Sequence, residues 1–130
     1  QFPPGRVRRD LEDMVTWLNE HNLGDDPVVR ARMAELAVTV KESEVLGLKV
    51  LAAMVNSCDA TVDAAMNKII HTTACQDIAR AVLDFGGPEA LVSNCHPEQI
   101  WRQSITETIG GGTSEIMRSV VSRQLLGLGS

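Results

Sequence analysis

Downstream of Pro27 the chain runs to about Ser57 without a second proline and with a single glycine, Gly47. Over that run Met33, Leu36, Ala37, Val40, Leu48, Leu51 and Val55 return at the three- and four-residue spacing of one helix face. The alternation of period two that a half-buried strand would show occurs nowhere over a useful length. The stretch therefore predicts one helix on the order of 45 Å long. Asp26 followed by Pro27 supplies its start, an N-cap and a proline at the first helical position. The charged Lys41-Glu-Ser-Glu44 in its middle predicts an exposed stretch, because Lys and Glu are rarely buried unpaired.

The flanking segments repeat the same signal. Val7, Leu11, Met14, Val15 and Leu18 predict an amphipathic helix of about four turns, interrupted at Asn22-Leu-Gly-Asp25. Asp59 or Thr61 can cap a third helix reaching about Phe85, which Gly86-Gly87-Pro88 terminates. A short pattern from Glu89 to Val92 precedes another from Pro97 to Thr106. Thr113 and Ser114 are good caps for a last helix to about Leu126, with Glu115 in its first turn. Its wide apolar face, from Ile116 to Leu125, predicts burial on more than one side. The whole reads as all-α: an antiparallel four-helix bundle with a short additional helix. Residues 1–130 form one domain, with Val40, Leu48, Leu51, Ile69, Val82, Ile116 and Val120 in one core.

Composition agrees and excludes several functions. Aromatics are only 3% of the chain, so the core must be aliphatic, which suits helix packing. The net charge of -5 lacks the basic footprint of a nucleic-acid binder, and the local Arg6, Arg8, Arg9 cluster is followed at once by Asp10, Glu12 and Asp13. No apolar run is long enough for a membrane span. Cys58, Cys75 and Cys95 are odd in number and widely spaced, which points to a reduced, cytoplasmic setting and to no metal motif. Beginning on Gln1, the chain reads as a piece of something longer.

Chemistry-bearing patterns are few. His21, His71 and His96 lie in separate segments, and no catalytic triad can be assembled from sequence proximity; His71, in mid-helix, reads as a buried polar contact. Trp17 and Trp101 read as packing anchors. Most informative is Thr108-Ile-Gly-Gly-Gly-Thr-Ser-Glu-Ile-Met-Arg118. Its glycines are no Walker loop, since no Gly-Lys-Ser/Thr follows and no strand precedes. They form either a plain helix-breaking connection or a loop that presents backbone N–H groups to a polar cofactor.

Gly111-Gly-Thr-Ser-Glu-Ile-Met-Arg118, leading into Val120-Val-Ser-Arg-Gln-Leu-Leu-Gly-Leu128, resembles the C-terminal motif of the acyl-CoA dehydrogenases, in the glycine-bearing form of actinobacterial members. Asp26 to Leu36 is similar to the start of that family's long second bundle helix, and Asn67-Lys68 followed by Ala79 to Gly87 to its third. The resemblance implies the helical C-terminal domain of a flavoenzyme in which a carboxylate removes the α proton of an acyl-CoA thioester and FAD accepts the β hydride. It implies FAD contacts at Gly112, Thr113 and Glu115, and, toward a second subunit's cofactor, at Gly86 and Gly87. It also implies a homo- or hetero-oligomer of related subunits.

The departures from that pattern matter. Where well-known members carry the catalytic Glu this chain has Gly111, so no catalytic residue is assigned. Some members supply the carboxylate from the start of the first bundle helix, a region at or before Gln1; Asp10, Glu12 and Asp13 lie too far along that helix to be favoured. Glu115 replaces a common Gln, and Asn22-Leu-Gly-Asp25 replaces a flavin-contacting Arg-x-x-Phe-Gly. By itself the chain is expected to be inactive. The alternatives are a free-standing helical interaction module and a non-catalytic subunit of a hetero-oligomeric dehydrogenase, members of that kind acting on bulky substrates such as steroid side chains.

Overall fold

A computed structural model describes residues 5–129. Among them every regular element is helical: α1 (Arg6–Glu20), α2 (Pro27–Val55), α3 (Thr61–Gly86), a 3-10 turn (Gly87–Leu91), α4 (His96–Glu107) and α5 (Ser114–Gln124). The punctuation follows side-chain chemistry. Asp26 Oδ1 accepts from the N–H groups of Val28 (2.8 Å) and Val29 (3.4 Å), and Thr113 Oγ1 from that of Ile116 (3.3 Å). Asp59 Oδ1 accepts from both the backbone and the hydroxyl of Thr61. These caps satisfy N–H groups that have no partner within the helix.

α3 is the axis of the molecule, touching α1, α2, α4 and α5. Met14 and Leu18 from α1 meet Ala74, Ile78, Ala79 and Val82 of α3 in a core closed to solvent. Val29, Met33, Leu36 and Val40 complete it from the first half of α2. At the far end of α3, Gly86 is a packing requirement: a Cβ there would stand 2.6–2.7 Å from the Trp17 ring and 2.8 Å from Ala90 Cβ. Gly87, at φ 59°, breaks the helix.

Five of the seven predicted core residues fail, and for one reason. Val40 and Val82 are buried, but Leu48 is 66%, Leu51 43% and Ile116 55% exposed, and Ile69 and Val120 are only half-buried. At 15 residues α1 reaches ~22 Å against ~43 Å for the 29 residues of α2, so it covers only the first half of α2. α5 packs on α3 but, among the described residues, not on α2. No residue of α5 is fully buried, contrary to the expectation of burial on more than one side. The Lys41–Glu44 stretch is only partly exposed, since Ser43 is buried and Glu44 half-buried.

Candidate functional site

Because α2 and α5 share a neighbour without meeting, a cavity of about 650 Å³ opens between them. Its floor is α3, from Thr61 to His71; its walls are Val40 to Met54 of α2 and Met117 and Val120 of α5; its ends are the start of α1 and Gly111. Leu48 and Leu51, expected in the core, line this space together with Met54. The size and mainly apolar lining suit a small-molecule site.

Gly111 has φ 71° and Gly112 φ 100°, backbone that favours glycine. A Cβ on Gly111 would meet nothing within 4 Å, whereas one on Gly112 would stand 2.7 Å from Met117 Cε. The position where the motif elsewhere carries a glutamate is thus open, and the next glycine is favoured by its φ, since the Met117 methyl is the flexible end of its side chain.

The base of this loop is clamped by a stripe of α3 that sequence reading missed. Lys68 Nζ donates to the Thr108 carbonyl (3.5 Å), Thr72 Oγ1 to that of Glu107 (3.4 Å), and Gln76 Nε2 to that of Ser104 (3.4 Å). These carbonyls end α4, where helical donors run out. The signal was available as polar residues every fourth position, 68, 72 and 76, on an otherwise apolar helix.

Beneath the clamp lies a buried charge network. The Glu107 carboxylate pairs with the Arg6 guanidinium and lies 3.5 Å from His71 Nε2. Burial, then the positive charges of Arg6 and Lys68, lower the His71 pKa to about 4. Burial, then Glu107 and Asp10, push the Cys75 thiol up to about 12. The ligand atoms of His71, Cys75 and Glu107 lie within 4.8 Å of one another. Arg6 already holds Glu107, so the network has its cation, and His71 is the buried polar contact expected of it. At the cavity mouth Arg8 grips Glu44 through two hydrogen bonds of 2.5 and 2.6 Å, and Lys41 adds a third at 3.2 Å. The Arg8 hydrogen bonds hold Glu44 down to about 2, making it a poor base.

The expected cofactor residues fall into two groups. Gly112, Thr113 and Glu115 sit at the start of α5, beside the cavity, while Gly86 and Gly87 end α3; eighteen residues of helix from Lys68 put them ~27 Å away. Glu115 is exposed, and its own N–H and the Thr113 hydroxyl hold its carboxyl below the usual range. Its charge opposes a phosphate at this helix start, but it can accept from a hydroxyl or amine, as on the adenosine end of a dinucleotide. Asp10, half-buried with Arg6, has a carboxyl raised first by burial; neither it nor Glu12 nor Asp13 lines the cavity, and Asp13 lies 3.4 Å from His96 instead.

The sequence matches the model of the acyl-CoA dehydrogenase C-terminal domain over residues 3–126. A curated relative, the CarC subunit of the caffeyl-CoA reductase–Etf complex of Acetobacterium woodii, is 24% identical over 127 residues, 94% of this chain and 34% of its own. Among solved structures, the Tcur3481-Tcur3483 steroid ACAD superposes with a TM-score of 0.85 at 28% identity, covering 97% of this chain and 35% of that one. The ChsE4-ChsE5 complex from Mycobacterium tuberculosis gives 0.84 at 19%, covering 99% and 36%, and supports the fold alone. The chain thus spans about a third of the length of these relatives.

Proposed function

The chain belongs to the acyl-CoA dehydrogenase family as its C-terminal helical domain, and from that premise we propose that it serves FAD-dependent α,β-dehydrogenation of a bulky acyl-CoA thioester within a hetero-oligomer. In this reading Gly112, Thr113 and Glu115 contact one flavin nucleotide, with Glu115 accepting from its adenosine end. Gly86 and Gly87 approach the cofactor of a neighbouring subunit. Their separation suits two cofactors better than one. The base comes from outside residues 5–129.

One observation carries the proposal: Gly111 is open to the cavity where the motif elsewhere has a glutamate, and nothing crowds its Cβ position. That leaves room for a large acyl group and no proton acceptor. The similarity to a steroid ACAD supports a ring-bearing substrate. The same glycine favours a second reading, a subunit that binds flavin and holds the assembly without turning over. To decide, the chain would be produced with its natural flanking sequence and its co-encoded homologue. Bound FAD and its bleaching by short-chain and steroid-side-chain CoA thioesters would be read by absorbance. Bleaching by the steroid thioester supports the first reading, bound but unbleached FAD the second, and absence of FAD overturns both.

A further inference from the structure

Gly110, Gly111 and Gly112 give the chain between α4 and α5 little conformational preference of its own, so something else must select its path. The loop closes on a single atom. The Thr108 carbonyl, at the end of α4, accepts from the Ser114 N–H at 3.2 Å and from Lys68 Nζ at 3.5 Å. Lys68 is 6% exposed, so its ammonium stands at the base of the loop largely out of water, where a charge acts strongly on its neighbours. Its sign suits the place. The last carbonyls of a helix gather partial negative charge, which a cation there offsets.

The same charge reaches the far side of the glycines. The Glu115 carboxyl is held below its usual range first by its own N–H, then by the Thr113 hydroxyl, and further by the charges of Arg118 and Lys68. Of these two cations Arg118 is exposed and Lys68 buried, so Lys68 is the one with a fixed position. Thr72 and Gln76, further along the stripe, donate to carbonyls within α4 and hold that helix, not the loop. We propose that Lys68 is a positioning residue for the flavin nucleotide: its buried ammonium draws on Thr108 before the glycines and on Glu115 after them, presetting the loop and aiming Glu115 at the adenosine end of FAD. Lys68 acts through those two residues and not by touching the cofactor. A loop already held in place loses less conformational freedom when the ligand arrives, which strengthens binding. The inference rests on the assignment of Gly112, Thr113 and Glu115 to FAD made above.

The test uses the assembled protein, with its natural flanking sequence and co-encoded homologue, stripped of flavin and titrated with FAD. Four forms are compared: unaltered, Lys68→Met, Glu115→Gln and the double variant. Met is unbranched and suits a buried position but carries no charge; where it prevents assembly, Lys68→Gln replaces it in the same cycle. Loss of the ammonium is expected to weaken FAD binding on the order of tenfold with Glu115 present, and by less than about twofold in the Glu115→Gln background. A merely structural role would give equal losses in both backgrounds. Hydrogen exchange measured without flavin is the second readout, and the Ser114 amide, whose acceptor is the shared Thr108 carbonyl, is expected to exchange faster in Lys68→Met. Equal losses in the two backgrounds, FAD affinity unaltered by Lys68→Met, or unaltered exchange at Ser114 would each overturn the inference while leaving the dehydrogenase reading in place. An unaltered assembly that binds no FAD would overturn both.

Discussion

At the level of single residues, His71 has the clearest pH signature. Its pKa is 6.5 in an unfolded chain and is lowered to about 4 in the fold, by burial, then by Arg6 and Lys68. A depressed value means that the unfolded state takes up the proton first, so the contribution of neutral His71 is complete above pH ~6.5 and is lost as pH falls toward 4. The loss is on the order of 3 kcal/mol. Asp10, whose carboxyl is raised first by burial, titrates in the opposite sense, and Glu107, Cys75 and Lys68 also face the ring. Comparison with His71→Gln therefore isolates the histidine. Urea denaturation at pH 7.0 and 4.5 should show a steeper loss in the native chain than in the variant, and parallel losses would refute the assignment.

Gly111 is the residue on which the proposed chemistry turns. Gly111→Glu would supply a carboxylate with room around its Cβ, but at φ 71°, a backbone that side chains other than Asn and Asp rarely adopt. On the proposed reading a base already exists outside residues 5–129. A second carboxylate near the same α carbon would raise one pKa by like-charge repulsion and fill the space that a bulky acyl group needs. Flavin reduction by the assembled protein is expected not to improve. A gain of a hundredfold, about 2.7 kcal/mol of barrier, would identify Gly111 as the simple loss of a catalytic glutamate.

Among the elements, sequence punctuation was more legible than burial. Asp26-Pro27, Thr113 and Gly86-Gly87 mark boundaries through local chemistry, and the helices begin or end beside them. Core membership depends on what covers a face, which periodicity does not state: Leu51 has the right spacing but lies beyond the reach of α1. Truncating Ile78, fully buried on α3, to Ala should cost ~2–5 kcal/mol, whereas Leu51→Ala should cost under about 1 kcal/mol. Chemical denaturation would check the contrast, and a larger loss at Leu51 would mean that this end of α2 is covered in the isolated chain. The cavity could not be read from sequence for the same reason, because its lining comes from four helices and from Gly5 and Gly111 outside them. Its charged floor left one trace, the four-residue recurrence of Lys68, Thr72 and Gln76.

For the molecule as a whole, the uncovered faces predict association. Val45, Leu48, Met54 and Val55 on α2 are between 58 and 83% exposed, and Ile116, Leu125, Leu126 and Leu128 at the other end of the chain between 55 and 62%. Large contiguous apolar patches are unusual on monomers and mark interaction surfaces. In the family reading they meet the rest of a longer protein and its neighbours, since the chain spans about a third of its relatives. Without that cover the 130-residue chain should self-associate through the hydrophobic effect, more strongly as salt rises and surface charge is screened. Replacing Met54 and Val55 with Glu should shift the population toward monomer with little loss of stability, because neither side chain belongs to the core. Sedimentation velocity over a hundredfold range of concentration would decide: a native chain that stays monomeric throughout would show that these faces need no partner.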